Sequence, residues 1–246
     1  MNLVLDIGNT QFKICVFNKQ KIEFHSFFKE LSKDTISSLI KEYAITKAIY
    51  SDTRGLKQEK INELFSSNIP LIELCHTTPI PIKLNYTTPE TLGKDRIAGA
   101  VASYELFKGL PILVIDIGTA ITIDFINEFG VFEGGIISPG PELRYKALHQ
   151  FTGKLPLLEC VEKTDIIGKS TKTAIESGVQ NGILFEVNEY ILTFYKQYNK
   201  LKIVLTGGYA YLFDKKIKYP IFADSFLIPK GLNRILNYND KKTKIL

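Results

Sequence analysis

The sequence predicts an α/β protein built from two similar domains with mixed sheets, and three features predict it. An apolar strand ending in Asp-Ile-Gly occurs twice, as Leu3-Val4-Leu5-Asp6-Ile7-Gly8 and as Leu113-Val114-Ile115-Asp116-Ile117-Gly118. A second strand follows each copy, and later strands alternate with helical segments, the pattern of mixed sheets with helical cover. Gly109-Leu110-Pro111 breaks the chain between the copies. The 246 residues leave room for two domains of about 120 residues each. The expected domains are 1–111 and 112–246, facing each other across a cleft.

Each element has its own signal. Residues 2–8 form an apolar strand. Residues 12–17 alternate Phe12, Ile14 and Val16 against Lys13, Cys15 and Phe17, and 21–28 give a third strand after turn chemistry at Asn18-Lys19-Gln20. A helix follows, capped by Ser32 or Asp34, with Ile36, Leu39, Ile40 and Tyr43 on one face. A strand at 48–51, a helix at 57–65 and a strand at 71–74 come next, then an irregular loop at Pro79 and Pro81. Pro89 leads into a longer helix over 90–107. In the second half, strands are expected at 112–117, 120–126 and 130–137, and helices at 142–150 and 171–198. A strand at 202–205, a short helix after Gly207-Gly208, a strand at 221–223 and a terminal helix from Gly231 complete the series.

Composition narrows the function classes. The apolar share of 45% and the charged share of 23% are those of an ordinary globular chain. No apolar run reaches the roughly 20 residues of a bilayer span, so no membrane partner is expected. Met1-Asn2-Leu3-Val4-Leu5-Asp6 has no basic leader and reads as a buried strand rather than a secretion signal. Cys15, Cys75 and Cys160 and His25, His76 and His149 are dispersed without C-x-x-C spacing, and the adjacent Cys75-His76 reads as a strand end. That argues against a disulfide framework or a zinc site and fits a reducing cytoplasm. The net charge of +5 comes from scattered lysines, with arginine only at Arg54, Arg96, Arg144 and Arg234. Nucleic-acid readers cluster their cations and favour arginine, so a nucleic-acid partner is not expected. The basic tail Lys241-Lys242-Thr243-Lys244 reads as a frayed end, and the positive balance helps to attract an anionic substrate.

The paired turns point to phosphate. A glycine after an acidic strand end lets the hairpin turn tightly and bring its N–H groups close to a ligand. Asn9, Thr10 and Thr119 add side-chain donors, and Lys13 adds a point charge on the strand after the first turn. Carboxylates at Asp6 and Asp116 would repel a polyphosphate unless a cation intervenes, which suits magnesium or a monovalent ion. One such turn alone reads as an ordinary hairpin; two copies with matching strands favour a shared site. Aligned on the repeat, Lys13 corresponds to Ile123, so equal folds carry unequal chemistry. Gly168-Lys169-Ser170 imitates the end of a P-loop, but Lys163 stands where its first glycine belongs.

These residues carry a resemblance. D-I-G-N-T at 6–10 with Lys13, D-I-G-T-A-I-T-I-D at 116–124 and T-G-G at 206–208 resemble the phosphate and adenosine motifs of the acetate kinase, sugar kinase, Hsp70 and actin superfamily. The segment 85–96, N-Y-T-T-P-E-T-L-G-K-D-R, resembles the substrate segment of type III pantothenate kinases. G-G-I-I-S-P-G at 134–140, Leu155-Pro156, I-G-K-S-T at 167–171 and Ser177-Gly178 follow in that family's order. The resemblance spans residues 6 to 232. One departure is Ser170, where asparagine is common in the family.

The resemblance implies two duplicated ribonuclease H-like domains of the actin/hexokinase type, and transfer of the ATP γ-phosphoryl group to pantothenate. It implies ATP contacts at Asp6, Ile7, Gly8, Asn9, Thr10, Gln11, Phe12, Lys13 and Thr119. Substrate contacts fall on Tyr86, Gly93, Lys94, Asp95, Arg96 and Thr171, with Asp95 as catalytic base and Thr173 as a rival to Thr171. Asp116 holds potassium or ammonium, magnesium accompanies ATP, and a homodimer is expected. Blander readings stand beside these: Asp95-Arg96 as a surface ion pair, Tyr86 as a core aromatic, Thr171 as a helix cap and the long helix as core rather than interface. A sugar or acetate kinase, a non-catalytic accessory factor and an actin-like filament protein are the rival functions. The short loops, the small size and the G-x-D-R segment oppose the first, the short chain opposes the third, and retention of Asp6, Lys13, Asp95, Arg96, Asp116 and Thr119 opposes the second.

Overall fold

Leu3, Val4, Leu5 and Ile7 are all buried along β1 (Asn2–Ile7), so this strand is covered on both faces and lies inside its sheet. β2 (Phe12–Asn18) runs antiparallel beside it, and β3 (Lys21–Phe28) closes that edge with an alternating exposed and half-buried pattern. β4 (Lys47–Asp52) pairs parallel on the other side of β1, and β5 (Leu71–Glu73) follows it, giving the order β3-β2-β1-β4-β5. The computed structural model describes residues 1–8, 11–65 and 69–243; Asn9, Thr10 and Lys244 of the expectations above lie outside these.

Two helices cover one core with the sheet. α1 (Lys33–Glu42) is capped by Ser32, whose hydroxyl accepts from Thr35 N–H at 3.3 Å, and buries Ile36 and Leu39. α2 (Gln58–Leu64) adds Ile61 and Leu64 to the cluster of Leu3, Leu5 and Ile7. The helix expected over 90–107 is interrupted. A short strand β6 (Lys83–Leu84) precedes a 3₁₀ turn at Pro89–Thr91, and α3 begins only at Lys94 (Lys94–Leu106). Leu92 between them is buried with extended ψ of 127°, so burying its side chain takes precedence over continuing the turn.

The second copy builds its own sheet. β7 (Ile112–Ile117), β8 (Ala120–Ile126) and β9 (Val131–Pro139) run antiparallel in sequence. β10 (Lys202–Thr206) and β11 (Phe222–Ala223) add parallel strands beyond β7. α4 (Pro141–Gln150) and α5 (Thr171–Gln197) cover it. On α5, Ile175, Val179, Ile183, Val187 and Ile191 recur every fourth residue and are buried, so this stripe faces the core. A short 3₁₀ helix at Ala210–Leu212 stands after Gly207-Gly208.

The last helix differs from expectation twice. α6 (Leu227–Thr243) starts upstream of Gly231, because Pro229 falls in its first turn, where a missing N–H costs little. It also belongs with the first copy. The chain divides into one unit of Met1–Leu106 with Phe226–Leu246 and a second of Phe107–Ser225, rather than at residue 111 with the terminus in the second part. Leu227, Leu232, Ile235 and Leu236 are buried, and a Cβ on Gly231 would collide with the Ala98 backbone of α3. Asn2 donates to Asn233 at 2.7 Å and to Asn237 at 3.0 Å, which ties α6 to β1 through polar groups as well.

Candidate active site

In the first unit, Asp6 stands at the end of β1 with Lys13 opposite it on β2 and Ser51 opposite it on β4. Ser51 donates its hydroxyl to Asp6 Oδ1 at 2.8 Å. Burial pushes the Asp6 carboxyl above its usual range; the Ser51 hydrogen bond and the Lys13 charge pull it back, and the Asp95 charge pushes it up again. The Lys13 ammonium lies 5.3 Å from the Phe27 ring and 5.7 Å from the Phe226 ring. Gly8 closes the turn by donating to the Gln11 carbonyl at 3.2 Å; Ile7 and Phe12 are buried in the core and Gln11 is exposed.

A loop that sequence reasoning missed lies against this turn. Thr53 N–H and hydroxyl both donate to the Ile7 carbonyl, at 3.1 and 3.0 Å. Asp52 accepts from the N–H groups of Arg54, Gly55 and Leu56 at 2.8, 3.2 and 2.6 Å. Arg54 Nε donates to the Gly8 carbonyl, and its guanidinium sits 4.6 Å from the Phe12 ring. The available signal was the polar run Ser51-Asp52-Thr53-Arg54-Gly55 at the carboxyl end of a strand, the usual place for ligand-binding loops in such sheets.

The 93–96 segment belongs to the same unit. Asp95 is half-buried in the first turn of α3, and its Oδ1 accepts from Arg96 N–H at 2.8 Å. A Cβ on Gly93 would come within 2.6 Å of that oxygen, so glycine leaves the carboxylate its place. Arg96 is buried, with its guanidinium 5.9 Å from the half-buried Tyr86 ring. Lys94 pairs with Glu73 at 3.2 Å, and Tyr50 donates to the other Glu73 oxygen at 2.9 Å. Glu73 was likewise missed; nothing in its local sequence marks it.

In the second unit, Asp116 is half-buried at the end of β7, facing Thr122 on β8 and Thr206 on β10. Ile7 pairs with Phe12, whereas Ile117 pairs with Ile121, so the first hairpin carries one more residue in its turn. The structural counterpart of Lys13 is therefore Thr122, not Ile123; the chemistry remains unequal. Gly207 has φ +104°, and a Cβ there would lie 2.5 Å from Asp116 Oδ1 and against the Ile117 carbonyl. Gly140 donates to the Thr119 carbonyl at 3.0 Å and leaves no room for a side chain against Gly118 and Thr119. Thr119 itself is exposed. The T-G-G and G-G-I-I-S-P-G motifs thus close on the second Asp-Ile-Gly turn.

The start of α5 separates Thr171 from Thr173. Ser170, not Thr171, is the N-cap: its hydroxyl accepts from Thr173 N–H at 3.2 Å. Thr173 Oγ1 in turn accepts from the N–H groups of Lys169 and Ser170 at 2.9 and 3.0 Å. This capping box occupies Thr173, while Thr171 stands exposed in the first turn. Among the described residues no group of three or more His, Cys, Asp or Glu is placed to hold a metal ion.

Comparison with known proteins agrees with these motifs. The family model for type III pantothenate kinase matches residues 2–193. A type III pantothenate kinase of Bacteroides fragilis is 44% identical over 240 residues, covering 98% of this chain and 99% of that protein. A solved structure from Campylobacter jejuni, described as a Baf family transcriptional activator, gives a TM-score of 0.63 at 25% identity over 97% of this chain and 99% of that one. A Listeria monocytogenes protein described as an N-acetylmannosamine kinase gives 0.51 at 12% identity over 98% and 99%, a likeness of fold alone. The fold is of the actin/hexokinase type. With the G-x-D-R segment in place at the head of α3 and a relative this close over its full length, the chain belongs to the type III pantothenate kinase family.

Proposed function

We propose that this protein is an ATP-dependent phosphotransferase that phosphorylates pantothenate on its primary hydroxyl, the first step towards coenzyme A. The observation that carries the reading is the neighbourhood of Asp6 and Asp95. A carboxylate of the phosphate turn and the carboxylate of the substrate segment lie close enough in one unit to act on each other's charge.

Phosphoryl transfer needs positioning, charge neutralisation and a proton acceptor. Asp95 orients the hydroxyl and takes its proton as the oxygen–phosphorus bond forms and the bond to the ADP oxygen breaks; a carboxylate is too weak a base to remove that proton beforehand. Tyr86, Gly93, Lys94, Arg96 and Thr171 hold pantothenate, whose carboxylate suits the Arg96 guanidinium. The turn at 6–13 and Thr119 bind the phosphates. With no three-carboxylate cluster in the described residues, magnesium enters with ATP, held mainly by phosphate oxygens. Asp116 is the residue to hold a monovalent cation: its carboxylate and the Ile117 carbonyl supply the hard oxygen donors that potassium or ammonium takes, and the ion would offset phosphate charge. The second unit leaves Ile137, Leu143 and Phe185 exposed, surface that a homodimer would cover. The reaction belongs to the cytoplasm, where ATP is supplied; among the described residues no helix is long and apolar enough to cross a membrane.

A coupled ADP-release assay with purified protein tests the reading. ADP release dependent on pantothenate, and stimulated by potassium, is the expected result. Release with a hexose or acetate but not with pantothenate would overturn it.

A further inference from the structure

The loop after β4 carries a cation that the reaction described above does not use. Arg54 reaches the first phosphate turn from outside it: Nε donates to the Gly8 carbonyl and the guanidinium lies over Phe12. Its position is set by its neighbours, since Asp52 accepts three backbone N–H groups of this loop and Thr53 donates twice to Ile7. Arg54 Nη2 is buried and has no hydrogen-bond partner among the described residues. A buried guanidinium N–H without an acceptor is costly. Asp52, two residues away, binds the loop backbone with both oxygens, and Asp6 Oδ1 accepts from Ser51.

We propose that Arg54 is a further phosphate-binding residue of the ATP site, one arm of its guanidinium donating to the Gly8 carbonyl and Nη2 donating to an ATP phosphate oxygen when one arrives. The inference rests on the reading of residues 6–13 as the ATP turn. The chemistry favours arginine specifically. A planar fork engages the turn and an anion at once, whereas a lysine has a single nitrogen to divide between them. With Arg54 the entering polyphosphate meets a second cation besides Lys13.

Calorimetric titration of wild type, Arg54→Lys and Arg54→Gln with magnesium-ATP, inorganic tripolyphosphate and adenosine tests this. Both variants are expected to lose roughly 10- to 100-fold in affinity for ATP and tripolyphosphate, with adenosine binding and the KM for pantothenate within about twofold of wild type. Unchanged ATP and tripolyphosphate affinity in a folded variant overturns the proposal, as does an equal loss for adenosine. Should both variants misfold, nitrogen NMR of the wild type decides. Among only four arginines, the Arg54 Nη signal shifts on tripolyphosphate addition if the proposal holds and stays put if it does not. Wild type that binds no tripolyphosphate removes the ATP-turn reading itself. Wild type that binds it but leaves pantothenate unphosphorylated removes only the assigned reaction.

Discussion

The surroundings of Asp6 on balance oppose its charge. Burial and Asp95 both oppose ionisation, while Ser51 and Lys13 favour it, and the net effect raises its pKa above the ordinary 3.8. The folded state therefore binds this proton more tightly than the unfolded chain. Relative to acid, the group's contribution to stability declines as pH rises from about 3.8 and is lost as pH passes through the folded pKa. Asp6→Asn removes the titrating group and keeps an acceptor for Ser51. Its expected result is ligand-free protein whose melting temperature relative to wild type rises by ~2–4 °C between about pH 3 and a pH above the folded pKa of Asp6, with ATP turnover lost. Scanning calorimetry at the two pH values checks the sign. At Asp95 the expectation is the opposite balance. Asp95→Asn keeps the shape and can still accept from Arg96 N–H, so folding and ATP binding hold while kcat drops about 100-fold or more. Near-normal turnover in that variant would remove Asp95 as the proton acceptor.

The elements show what could be read in advance. The Asp-Ile-Gly strands were legible because the same apolar run ended by an acid and a glycine occurs twice, each time followed by a second strand. Their pairing register was not: one extra residue in the first turn shifts the partner of Asp6 to Lys13 and that of Asp116 to Thr122, and a repeat alignment cannot see the turn length. The α3 start was blurred because Pro89 and Gly93 both suit a helix entry; burial of Leu92 decides between them. Ser51, Arg54 and Glu73 reach the site only through sheet order, which brings 51–54 beside 6–8 and 73 beside 94. No local pattern announces such a meeting. The contact between α3 and α6 depends on Gly231, where a methyl group has nowhere to go against Ala98. Gly231→Ala is expected to cost about 1–3 kcal/mol by overpacking, although alanine is the better helix former. A raised melting temperature in this variant would contradict the contact.

For the whole chain, two consequences follow. If a homodimer forms through the second unit, Phe185→Asp, which changes a side chain 55% exposed on α5, leaves the fold intact and shifts sedimentation from dimer to monomer. Sedimentation unchanged by the substitution would direct attention to another surface. The second consequence concerns the division of the chain. Removing residues 226–246 strips four nearly fully buried side chains, Leu227, Leu232, Ile235 and Leu236, from the first unit. At about 1.5–3 kcal/mol each they match a domain's entire stability of about 5–15 kcal/mol. The shortened protein is expected to lose the first unit's protection from proteolysis while 107–225 stays resistant. Fragments of equal sensitivity would refute this.

That arrangement also sets an order of events during synthesis. The strands of the first unit wait for α6, which is translated after the whole second unit, so a nascent chain carries β1 and α3 with one side uncovered while 107–225 is being made. The middle portion is free to mature first. Only once α6 has followed the second unit out does the opening half gain its lining.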